Sequence, residues 1–109
     1  MPWLVRDGEV LATLEVADSA HARGKGLLGR DDFEGAILLQ PAKSVHTLGM
    51  RFAIDVAFLD KDMVVLRTVT MHKWRLGRPV PKAAAVIEAE AGAFASWNLQ
   101  VGDALEVKG

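Results

Sequence analysis

The residues with the most chemical capacity lie in one stretch, Ser44 to Asp60, where His46, Thr47, Arg51 and Asp55 stand among aromatic and β-branched neighbours. A carboxylate beside an imidazole, a hydroxyl and a guanidinium can accept a hydrogen bond or act as a general base. The competing reading makes Asp55 a structural group that bonds backbone amides of the Ser44 to Met50 turn, because buried polar groups are usually satisfied locally. His46 and His72 with Asp55 have the composition of a two-histidine, one-carboxylate metal site. Their spacing follows no metal-ligand pattern, so they are read as ordinary histidines and no metal is assigned. Ser44, His46 and Thr47 include a nucleophile and a base, but adjacent residues on an extended chain point to opposite faces, which weighs against a hydrolase. A basic loop carrying Trp74 either covers the pocket, attracting an anion or stacking on a ring, or packs back on the domain as a solvated loop. The candidate ligand-binding set is His46, Thr47, Met50, Arg51, Asp55, His72 and Trp74.

These side chains must be held by the elements around them. Asp7-Gly8 supplies a turn, and Glu9 to Val16 alternates as a strand. Ala17-Asp18-Ser19 offers N-cap chemistry for a helix from about Ser19 to Leu28, closed by Gly29. Gly24-Lys25-Gly26-Leu27-Leu28-Gly29 matches G-x-G-x-x-G literally. It lies at the end of a helix rather than between a strand and a helix start, so it is read as helix termination and not as a nucleotide fingerprint. Ala36 to Gln40 reads as a buried strand stopped by Pro41, and Phe52, Ile54, Val56 and Phe58 alternate as another. Asp60-Lys61-Asp62 marks a hairpin whose partner is Val64 to Met71. A two-residue Lys61-Asp62 loop would set Asp55 opposite Thr68 and Arg51 opposite His72. Lys73 to Pro81 is a loop, with Lys73, Arg75, Arg78 and Lys82 giving a local positive charge without an acid. Ala83 to Glu90 resumes a strand, Gly92 to Leu99 is a helical turn that carries Phe94 and Trp97 inward, and Ala104 to Val107 is the last strand.

A chain of 109 residues fits one domain, residues 1–109. Its 50% apolar and 25% charged composition is that of a folded soluble protein. The absence of cysteine removes disulfides, thiolate nucleophiles and cysteine zinc sites. A net charge of −1 argues against general nucleic-acid binding. No apolar run reaches the ~18 residues of a membrane span. Pro2-Trp3-Leu4-Val5-Arg6-Asp7 has no basic region leading into an apolar core, so the expected compartment is the cytoplasm.

Taken in order, several segments resemble the domain-of-unknown-function 192 family of bacteria and archaea. They are Ala17-Asp18-Ser19, Arg23 to Arg30, His46-Thr47-Leu48-Gly49-Met50, Ile54 to Asp60, Val86 to Gly92, and Val101-Gly102-Asp103. Many members carry Trp-Met-Lys-Asn-Thr where this chain has His46 to Met50. The resemblance implies a compact, mainly antiparallel β fold with one main helix, and brings no established activity.

The resulting expectation is an α+β domain. It is a mainly antiparallel sheet or partly closed barrel with one main helix and a short second helical turn. Its expected function is binding a small polar or anionic ligand between the His46 to Met50 turn and the Asp55 strand, with no cofactor and no nucleic-acid or membrane partner. The alternatives are a small enzyme using Asp55 and His46 as acid and base, and a structural or protein-partner module.

Overall fold

The computed structural model describes residues 2–109. Strand β1 (Trp3–Arg6) and strand β2 (Glu9–Ala17) form a hairpin across Asp7-Gly8. Both turn residues have left-handed φ, 50° and 79°, which suits Asp-Gly in a two-residue loop. Ser19 caps helix α1 (Ala20–Lys25), its Oγ accepting from the Ala22 amide at 3.1 Å. The helix closes at Gly26, three residues before the expected Gly29, because the Gly26 amide donates to Ala22 O and φ turns to 48° there.

Four more strands follow before the second helix and the last strand: β3 (Ala36–Leu39), β4 (Ile54–Leu59), β5 (Val65–Met71) and β6 (Ala85–Glu90), then α2 (Ala93–Trp97) and β7 (Glu106–Lys108). They form one seven-stranded sheet in the order β5-β4-β6-β3-β2-β1-β7, antiparallel except for the β2–β3 pair. The fold is therefore α+β with two short helices. Strands β5 and β7 are the sheet edges, and just outside them Val64 and Ala104 meet at an isolated bridge.

The β4–β5 hairpin departs from the two-residue loop. The Asp60 carboxylate accepts from the amides of Asp62 and Val64 at 2.8 and 3.0 Å, and Met63 takes a left-handed φ of 63°. This longer turn moves the register, so Asp55 faces Thr70 instead of Thr68. Arg51 lies before β4 and has no partner in it.

Both faces of the central strands are covered, and alternation divides their side chains between two cores. Ala57, Leu59, Ile87 and Ala89 pack with Phe94 and Leu99 on the α2 face. Ile54, Val56, Phe58, Val86 and Ile37 pack with Leu27, Val45 and Met50 on the α1 face. A side chain's parity in β4 or β6 therefore decides which cavity it can reach.

Candidate functional site

Asp55 has the parity of the α2 face and is 4% exposed. One carboxylate oxygen accepts from Thr70 Oγ1 at 2.7 Å, and the other accepts from the Gly92 and Phe94 amides at 3.0 and 3.1 Å. It fixes the turn between β6 and α2. The structural reading of Asp55 thus has the right chemistry and the wrong turn, since the amides belong to Gly92 and Phe94 and not to Ser44 to Met50.

Thr47 is fully buried and also structural. Its Oγ1 donates to His72 O at 2.6 Å and accepts from the Arg75 amide at 2.8 Å, while its own backbone exchanges bonds with Arg75 and Trp74. It fastens the basic loop to the segment before β4. Arg51 is exposed and pairs with Asp31 at 2.7 Å. Trp74 is 63% exposed, so most of its ring faces solvent. His46, His72 and Asp55 line three different cavities, and their two-histidine, one-carboxylate set is not assembled. Among the described residues no three His, Asp or Glu side chains gather as metal ligands.

Two of the expected residues, His46 and Met50, do share a cavity. It has a volume of ≈ 340 Å³ and lies between α1, the end of β3 and the Pro41 to Met50 segment. Leu39, Val45 and Met50 give it apolar walls, and Arg23, Lys25 and Lys43 give it a cationic rim. Arg23 is held by Asp18 O at 2.7 Å, and Lys43 by the carbonyls of Pro81 and Ala83. His46 Nδ1 accepts from the Leu48 amide at 3.3 Å, which in the neutral ring leaves the proton on Nε2, a donor.

The acid in this cavity is Glu88 rather than Asp55. Strand β6 places Glu88 on the α1 face between Ile37 of β3 and Val56 of β4, in an otherwise apolar row. The residue is 4% exposed, and its carboxylate has no hydrogen-bond partner among the described residues. Its oxygens are not sealed in; they open on the cavity. Burial among apolar neighbours pushes the carboxyl up to about 7, because the charged form loses its hydration without a compensating bond. Gly26 makes the close approach possible: a Cβ there would stand 2.9 Å from Glu88 Oε1. The glycine that closes the helix is thus also part of the cavity.

In the sequence Glu88 reads as one more polar residue in a strand. Its signal is a single acid inside Ala85-Val86-Ile87-Glu88-Ala89, a run as apolar as a central strand. An acid in a strand buried on both faces has to be paired or to line a cavity.

A family model designated DUF192 and described as Uncharacterized ACR matches residues 3–107. A UPF0127 protein of Pyrococcus abyssi is 31% identical over 98 residues, covering 85% of this chain and 84% of the relative. One from Pyrococcus furiosus is 32% identical over 103 residues, covering 90% and 89%. A crystal structure of a protein of unknown function from Novosphingobium aromaticivorans superposes with a TM-score of 0.81 at 19% identity, over 96% of this chain and 82% of that one. At that identity the superposition speaks for the fold alone.

Proposed function

The chain belongs to the DUF192 family, and on that premise we propose that it is a binding domain for a small polar ligand, held in the cavity beneath α1 with Glu88 as its buried acceptor. The observation that carries this reading is a carboxylate 4% exposed that faces a ≈ 340 Å³ cavity without a protein partner among the described residues. Such a group costs stability unless something brought to it supplies a donor. The rim complements it: Arg23, Lys25 and the His46 ring line the same cavity as the acid. The ligand class is therefore a small molecule with an amine, amide or hydroxyl for Glu88 and a carboxylate or phosphate for the rim. Acid–base catalysis by Asp55 and His46 is less well supported, since both Asp55 oxygens are bonded within the fold and the two residues line separate cavities.

A thermal-shift panel of amino acids, hydroxy acids and sugar phosphates tests the proposal. A ligand at about a hundredfold above its Kd stabilises the native state by ~2.7 kcal/mol, which raises Tm by on the order of 10 °C in a domain of this size. The expected result is a shift from at least one panel member that Glu88→Gln abolishes. No shift from any member, or an equal shift in the variant, would contradict it.

A further inference from the structure

Beyond the bridge between His46 and Leu76, the same sheet face carries a second cavity of ≈ 320 Å³. Its floor is apolar, formed by Phe58 of β4 with Val69 and Met71 of β5. A bulge between Phe58 and Leu59 sends Val65 to the α2 core while Arg67 pairs with Phe58 and lines the cavity. Arg75 and Arg78, from the loop after β5, complete a cationic rim, and no acidic residue lines this cavity.

Among the described residues the arginines have no counter-ions, since none of the three forms an ion pair. Arg67 and Arg78 make no side-chain hydrogen bond there, and Arg75 reaches only the carbonyls of Lys73 and Trp74, at 3.2 and 3.3 Å. The loop that presents two of them is nonetheless fixed. Thr47 holds it at His72, Trp74 and Arg75, and Gly77 donates to Val45 O at 2.9 Å. A Cβ on Gly77 would stand 2.5 Å from that carbonyl, so only glycine lets the loop lie this close. Arginines of like charge brought to one rim by a fixed backbone, with no acid facing them, repel one another, and an anion relieves that repulsion. The guanidinium fork fits carboxylate and phosphate in particular. A cationic rim over an apolar floor also selects for a hydrocarbon body attached to the anion.

We propose that this cavity binds an amphiphilic organic anion, an alkyl or aryl phosphate or carboxylate, with its charged end on Arg67, Arg75 and Arg78 and its apolar body on Phe58, Val69 and Met71. The same chemistry is offered by a free metabolite and by an anionic lipid.

Calorimetric titration of the full chain with hexyl phosphate tests it, with inorganic phosphate and hexanol as the two halves of the probe. The expected result is hexyl phosphate binding at least about tenfold tighter than either half, weakened roughly tenfold by Arg67→Ala and again by Arg78→Ala. Glu88→Gln should leave this binding unchanged, which separates it from the cavity beneath α1. Co-sedimentation with phosphatidylcholine vesicles containing phosphatidic acid, lost in Arg67→Ala, would assign the lipid source; solution binding without vesicle binding would assign a free anion. Hexyl phosphate bound no more tightly than its halves, or bound by both arginine variants as tightly as by the parent, would overturn the proposal.

Discussion

Glu88 gives the protein a pH response whose sign follows from burial. Its carboxyl is raised from 4.5 to about 7, so the folded state favours the neutral form. Between those values the native state binds more protons than the unfolded chain, and stability falls as pH rises. This group's stabilising contribution is complete below about pH 4.5 and is lost as pH passes through about 7. Glu88→Gln removes the ionisation. The variant should match the parent in denaturant unfolding near pH 4.5 and exceed it above about pH 8 by on the order of 3 kcal/mol. Identical pH profiles would mean that the Glu88 carboxyl ionises freely. Asp55 is just as buried, and its oxygens accept three hydrogen bonds from within the fold. Two carboxylates in central strands therefore have different roles, decided by the face each one points to.

At the scale of elements, Thr47 couples the segment before β4 to the loop after β5. Thr47→Val preserves shape while leaving the Arg75 amide and His72 carbonyl without their partner. The expected cost is about 2 kcal/mol. Hydrogen exchange should quicken at Arg75 and Trp74 and stay unchanged in β4; uniform quickening would show that the loop unfolds only with the sheet. The strands themselves were legible because alternation and turn residues are local: Glu9 to Val16, Ala36 to Gln40 and Val64 to Met71 all lie within one or two residues of β2, β3 and β5. Strand β1 has only four residues and no alternation to separate it from the turn that follows. The hairpin register was not legible, because it depends on the Asp60 carboxylate capping two amides of a longer loop. Glu88 was hidden for a related reason. The apolar run around it marks a central strand, but the neighbours and the cavity that its carboxylate meets follow from the place of β6 between β3 and β4, which no single strand's pattern records. Of the expected site, His46 and Met50 share a cavity, while Asp55, Thr47 and Arg51 are engaged with the fold.

Across the whole molecule, the strand order gives the two faces different characters. The α2 face joins β1, β4, β6 and the segment before β7 into a continuous core, with Asp55 as its internal fastening. The α1 face is interrupted by two cavities on either side of the pairing between His46 and Leu76. Among the described residues, one cavity has an acid without a partner and a basic rim, and the other has arginines without counter-ions and an apolar floor. On the proposed function, Glu88 is an acceptor kept free for a ligand. Carbon-detected NMR titration of the Glu88 carboxyl tests it most directly, run on the free protein and with the panel ligand that gives the largest thermal shift. The expected result is a midpoint near 7 in the free protein that moves when the ligand is added. A midpoint in the ordinary range near 4.5, unmoved by every ligand, would contradict it.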